Sequence, residues 1–254
     1  MVQGPRRRRL HHILKVGHEP GSPLEDLIDT EAACLALARP VGLGSVDASI
    51  ETTGNLRVLV ISRYDRIIAE DGAVTRLHQE DGAQALRLNT SDLNREFQRG
   101  KAIPSLAALA QVLREGGIEP DGLVRWATLN VAVGNTDGHA KNISVLHHRG
   151  GRYGLAPAYD VSMHAHHTTF EDSVGLDVNG KTRLSTITGA DLVEEARAWP
   201  LPPRRARGEV ETTLLQLRTA VDAWDHGQFP GVPRAAWKVV RASIERLLRS
   251  LSPG

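Results

Sequence analysis

The sequence predicts an α+β protein built as two unequal lobes, a small β-rich N-terminal one and a larger, mainly helical C-terminal one. Three observations carry this. Short β-branched runs are concentrated before residue 62, and helical spacing dominates after Arg66. A single hairpin pattern interrupts the helical part near residue 150. The densest set of reactive side chains, Asn135 to Asn142, falls between a helix and that hairpin, where rigid elements can hold a functional loop.

The elements follow in order. A basic arm, Arg6 to Arg9, leads into a strand over His12-Ile13-Leu14-Lys15-Val16. Gly17 to Pro23 is a loop. Ser22 is a helix cap with Pro23 in the first position and Glu25 and Asp26 in the first turn. Leu24, Leu27, Ile28, Ala32, Leu35 and Ala36 form its apolar stripe, and Pro40 and Gly42 stop it. Ser45 to Ile50 and Leu56 to Ile61 are strands joined through Thr53-Gly54-Asn55. After Arg66 the pattern turns helical. Ser105 to Glu115 is a helix closed by Gly116-Gly117, and Asp121 caps a second, Leu123 to Val133, ending at Gly134. Ile143 to Leu146 and Tyr153 to Leu155 form the hairpin, and helices cover 190–198, 208–226 and 234–251.

Composition narrows the function classes. The 254 residues carry 31 basic and 30 acidic side chains, a net charge of +1, which disfavours a wholesale polyanion binder. Aromatic residues make up 4%, too few for a base-stacking platform. The single cysteine, Cys34, excludes an internal disulfide framework and a zinc ribbon. No apolar run reaches the roughly 18 residues of a spanning helix, and no apolar stretch of signal-peptide type follows the basic N-terminus. The expected location is the cytoplasm, away from membranes.

The loop Gly134-Asn135-Thr136-Asp137-Gly138-His139-Ala140-Lys141-Asn142 combines amides, a carboxylate, an imidazole and an ammonium. Asp137 and Asn142 have the Asp-x4-Asn spacing of protein-kinase-type phosphotransferases, in which the Asp takes the proton of the attacking hydroxyl and the Asn gives an oxygen to Mg²⁺. Asp160, in Pro157-Ala158-Tyr159-Asp160-Val161, offers a second hard oxygen. Lys15, the only lysine before Lys101, suits the phosphate-contacting strand position, and Glu31 on the next helix is its candidate partner. Asn, Asp and Gly also favour plain turns, and Glu31 reads alternatively as a solvated helical carboxylate. The spacing alone is weak. The four residues Lys15, Asp137, Asn142 and Asp160 in this order are much more specific.

These motifs resemble those of the HipA-like serine/threonine kinases, toxin components of bacterial toxin–antitoxin pairs. Three further segments are similar: His12 to Lys15 to the ATP-lysine strand, Val58 to Arg66 to the hinge, and Arg76-Leu77-His78-Gln79-Glu80-Asp81 to the start of the large lobe. The resemblance implies a protein-kinase-like bilobal fold, with a partial N-lobe over residues 1–66 (lysine strand, helix, hinge) and a C-terminal kinase lobe over 67–254. It implies Asp137 as catalytic base and Asn142 and Asp160 as Mg²⁺ ligands. Lys15 and Glu31 serve the ATP phosphates, with Lys141 also on the nucleotide side. The backbone of Ser62 and Tyr64 faces the adenine, and His139 contacts the transferred phosphate. ATP and Mg²⁺ are the implied cofactors. The implied acceptor is a protein hydroxyl, aminoacyl-tRNA synthetases being known targets in the family. The implied partner is a DNA-binding antitoxin, so that nucleic acid is met only indirectly.

The family carries more sequence before the lysine strand, including a glycine-containing phosphate loop with an autophosphorylated serine. Val2-Gln3-Gly4-Pro5 is only faintly similar to it, so a shortened N-lobe is expected. The alternative is a catalytically impaired kinase remnant that binds nucleotide or an antitoxin without transferring phosphate. A zinc hydrolase is a third reading, since His139, His147, His148, His164, His166 and His167 cluster in sequence. No HExxH is present, and these histidines are expected to be surface and loop residues of the cleft.

Overall fold

Three antiparallel strands, β1 (His12–Val16), β2 (Ala48–Thr53) and β3 (Leu56–Ser62), form the first sheet in the order β1-β3-β2 in this computed structural model. The structure describes residues 11–89, 91, 94–199, 201–224 and 227–251. The arginine run and Val2 to Pro5 lie outside the described residues. β3 takes the centre because it is the most apolar of the three. Leu59 and Ile61 point from it into the core, and Leu59 lies opposite Lys15 on β1. The same alternation leaves Leu14 and Val16 exposed and turns Lys15 toward the cleft.

Helix α1 (Leu27–Ala38) is buried along almost its whole length, its Asp29, Thr30 and Glu31 included. It begins at Leu27 and not at Pro23. The Ser22 hydroxyl only closes a local turn with the Leu24 amide, at 3.3 Å, while the Glu25 carboxylate accepts from the Gly21 amide. Asp26 is the N-cap residue, yet its side chain makes no capping bond, because both of its oxygens face His166 and His167 across the molecule. Local helix-start chemistry was overridden by a tertiary contact.

The stretch after Arg66 departs from the helical expectation. It forms the hairpin β4 (Arg66–Ile68) and β5 (Val74–Arg76), then β6 (His78–Asp81) and the one-turn helix α2 (Gly82–Ala85). The turn is set by Asp71, which accepts from the Ala73 amide, and by Gly72 at φ +76°. β6 joins β7 (Ser144–His148) and β8 (Arg152–Leu155) in a second antiparallel sheet, where Glu80 meets His147 67 residues away. The predicted hairpin is thus present, with a third strand that local periodicity did not reveal.

Helices α3 (Leu106–Glu115), α4 (Asp121–Val133), α5 (Gly189–Arg197), α6 (Pro203–Asp222) and α7 (Arg234–Arg249) build the larger part. Ser105 caps α3 through the Ala108 amide at 3.1 Å. α4 starts at Asp121 itself, with Pro120 as its N-cap residue in place of the expected Asp121, and ends on Gly134 at φ +79°, the left-handed geometry glycine adopts freely. α6 begins at Pro203 and not at 208, since proline loses no hydrogen bond in a first turn. α4 packs between α6 and α7, burying Leu129, Leu214, Leu217 and Ile244, and one continuous apolar cluster joins these to Ile28, Leu35 and Leu59. The helical part therefore fixes α1 and, through it, the first sheet. Among the described residues no helix is long and apolar enough to cross a membrane.

Leu214→Ala opens a cavity at a fully buried position. It is expected to cost about 2–5 kcal/mol, seen as a lower urea midpoint with unchanged slope.

Candidate active site

Lys15 leaves β1 and meets Glu31 from α1, with Nζ 2.7 and 2.9 Å from the two carboxylate oxygens. The same ammonium also contacts Asp160, 145 residues on. Burial by itself lowers the Lys15 pKa, but Glu31 and then Asp160 outweigh it and hold the group above its ordinary value. Burial raises the Glu31 carboxyl, and Lys15 pulls it back only in part. Glu31 is thus a buried partner of Lys15 and not a solvated helical carboxylate. Asp160 sits at φ +52°, a left-handed conformation uncommon outside glycine and tolerated best by Asp and Asn.

Two polar chains position the loop and Asp160. In the first, Asn130 near the end of α4 donates to the Trp126 carbonyl (2.7 Å) and accepts from Asn135 (2.5 Å). Asn135 then accepts from the Asp137 amide (3.2 Å), and Asn142 donates to the Asp137 carbonyl (2.7 Å). In the second, Gln79 donates to the Ser144 hydroxyl (3.0 Å), Ser144 donates to Tyr159 (2.5 Å), and Tyr159 donates to the Lys141 carbonyl (2.6 Å). The residue before Asp160 is therefore tied to the residue before Asn142. Gly138 and Gly175 pass so closely that a Cβ on Gly175 would lie 2.6 Å from the Gly138 carbonyl carbon.

The Asp137 carboxylate is half exposed. Burial raises its pKa, His139 lowers it, and Asp160 and Glu96 raise it further. His139 is buried, with Nε2 3.8 Å from Asp137 and 3.6 Å from Glu96, its ring edge-on to Phe97 and its Nδ1 accepting from the Lys141 amide. The Lys141 ammonium pairs with Glu96. Glu96 was missed in the sequence because Arg95-Glu96-Phe97 carries no motif. Asn130, Gln79 and Tyr159 were missed as site supports because each acts through a partner distant in sequence.

The cleft between β1, β3, α1 and the Asp160 turn has a volume of about 230 Å³. Ile13, Leu35, Val46 and Ile61 line it on the apolar side, and Lys15, Glu31, Ser62, Tyr64 and Asp160 on the other. The Ser62 amide donates to the Asp47 carbonyl at 2.8 Å and is thereby taken up within the sheet edge. Burial raises the Tyr64 hydroxyl to about 12. Of the residues singled out in the sequence, Lys15, Glu31, Ser62, Tyr64 and Asp160 line this cleft, while Asp137, His139, Lys141 and Asn142 form the adjoining loop. Of the six clustered histidines, His148 is exposed and His147 part-exposed, as expected, but the other four are not surface residues. His139 and His164 are buried, as are the side chains of His166 and His167, and none of the last three lines the cleft.

A family model described as the HipA-like C-terminal domain matches residues 3–224. Y4mE of Sinorhizobium fredii, which bears a kinase name, is 28% identical over 212 residues, 80% of this chain and 48% of its own length. The serine/threonine-protein kinase toxin HipA of Shewanella oneidensis is 26% identical over 177 residues, 65% of this chain and 41% of its own. The chain thus spans about half the length of the curated relatives it matches or less. Among solved structures, HipA of Shewanella oneidensis in complex with HipB and operator DNA superposes with a TM-score of 0.73 at 19% identity, over 95% of this chain and 57% of that one. The Helicobacter pylori proinflammatory kinase CtkA superposes with a TM-score of 0.57 at 13% identity, over 94% and 88%. The fold is α+β and kinase-like.

Asn130→Ala breaks the first polar chain at a buried amide. It is expected to cost about 1–3 kcal/mol, and hydrogen exchange should quicken across residues 135–142. Unchanged exchange there would show that the chain does not hold the loop.

Proposed function

This chain belongs to the HipA-like C-terminal domain family, and from that we propose that it is a serine/threonine protein kinase, the toxin component of a toxin–antitoxin pair. The observation that carries the proposal is the convergence of Lys15, Glu31 and Asp160 from three distant segments, beside a loop whose Asp137 and Asn142 are hydrogen-bonded to each other.

In this reading Lys15 binds the phosphates of ATP and Glu31 orients it. The apolar wall of Ile13, Val46 and Ile61 receives the base. The residues present fit Mg²⁺. The Asn142 amide nitrogen is held by the Asp137 carbonyl, which leaves Oδ1 for a cation, and Asp160 adds a half-exposed carboxylate. When bound, the ion neutralises charge on the transferred phosphoryl group. Asp137 accepts the proton of a Ser or Thr hydroxyl as its oxygen attacks the γ-phosphorus and the bond to the β-phosphate oxygen breaks. His139, kept at its angle by Phe97 and the Lys141 amide, faces the same phosphoryl group. Lys141, held by Glu96, fixes the floor of the loop on the nucleotide side.

The proposed acceptor is a protein hydroxyl, with an aminoacyl-tRNA synthetase as the family's target class. The structural relative assembles with HipB and operator DNA, which supports a DNA-binding antitoxin as partner here. Nucleic acid would then be met through that partner.

Incubation with labelled ATP and Mg²⁺ tests the proposal. Asp137→Asn is expected to lower transfer by about 10²–10⁴-fold, and His139→Ala to lower it strongly, both with ATP binding retained. Nucleotide binding by the wild-type chain with no transfer would replace this reading with that of a non-catalytic nucleotide-binding remnant.

A further inference from the structure

Asp26, His166 and His167 form a second cluster outside the cleft. Asp26 is 5% exposed, and the side chains of His166 and His167 are 6% and 9% exposed. His166 Nε2 lies 2.7 Å from Asp26 Oδ2, and His167 Nε2 lies 3.0 Å from Oδ1, so each imidazole takes one oxygen. The two rings lie 3.9 Å apart.

Two neutral imidazoles do not fully satisfy this arrangement. His167 Nε2 is buried 3.0 Å from Oδ1 but is poorly aligned for a hydrogen bond to it. The Pro23 carbonyl accepts from the His167 ring. Because Nε2 faces Asp26, the nitrogen left to donate is Nδ1. A neutral imidazole that donates through Nδ1 presents a lone pair at Nε2, here against a carboxylate oxygen. Protonating both rings would place two positive charges 3.9 Å apart beside one carboxylate. A single divalent cation would take a lone pair from each imidazole and from the carboxylate at once. An Nδ1–H bonded to a backbone carbonyl is also the usual outer support of a metal-bound histidine.

We propose that Asp26, His166 and His167 form a zinc-class divalent metal site that clamps the start of α1 to the segment following Asp160. Two imidazoles and a carboxylate suit Zn²⁺, with water as the fourth ligand. Ligand atoms in a tetrahedral zinc site lie roughly 3.3 Å apart, and here one ligand atom from each of the three residues lies within 4.8 Å of the others. His164 is committed elsewhere, its Nδ1 to Thr136 and its ring to Phe170. The site is structural, not hydrolytic. It would fasten α1 five residues before Glu31 and the large-lobe segment six residues after Asp160. It stands independently of the kinase proposal.

The full chain, stripped with EDTA and titrated with Zn²⁺, is expected to retain one equivalent through desalting and to melt several degrees higher in zinc than in EDTA. Asp26→Asn and His167→Gln should each lose both effects, whereas His147→Gln, in the part-exposed His78–Glu80–His147 group, should keep them. Zinc-edge anomalous scattering from wild-type crystals locates the ion without any variant. Equal melting in zinc and EDTA, retention of the equivalent by His167→Gln, or an anomalous peak elsewhere would overturn the proposal.

Discussion

The ammonium of Lys15 ties together, at one point of the cleft, three segments distant in sequence. It is shared by a carboxylate on a buried helix and one on a turn 145 residues away. The Glu31 carboxylate would not be stable where it is without that charge. Glu31 is almost wholly buried, and an unpaired carboxylate there would have to protonate. Asp160 occupies a backbone conformation uncommon for a side-chain-bearing residue. The position of α1 against the first sheet, the width of the cleft and the aim of Asp160 therefore depend on one another.

The second constraint is the pair of polar chains beneath the loop. One begins in α4 and ends at Asn142, and the other begins in β6 and ends at the Lys141 carbonyl. Their buried members make directional bonds, so each fixes an angle that apolar packing would leave loose. Glu96 adds charge from below by pairing with Lys141 and approaching His139. Loop residues that would otherwise be mobile are thereby held to the helical core.

The residues at the centre of the site were legible in the sequence because their chemistry is local and ordered. Asp137 and Asn142 share a loop, Asp160 follows a recognisable hairpin, and Lys15 stands alone among early lysines. The helices from α3 onward were legible for a related reason, since caps and glycine stops are written beside the elements they end. What escaped was non-local. β6 became a strand by pairing with β7, a contact 67 residues long that no helical or strand period in 78–81 announces. α1 began at Leu27 because Asp26 was drawn to two histidines 140 residues away. Glu96, Gln79 and Tyr159 were invisible as site residues because each acts through its partner and not through a motif. His166 and His167 looked like surface residues in sequence and have buried side chains, because the segment after Asp160 folds back on the start of α1.

The proposal that Asp160, paired with Lys15 in this structure, holds the cation that accompanies ATP is the central one. It is tested most directly by the affinity for ATP with and without Mg²⁺, in the wild-type chain and in Asp160→Asn. The expected result is that Mg²⁺ tightens binding in the wild-type chain and loses most of that effect in Asp160→Asn. The same Mg²⁺ dependence in both chains would contradict it.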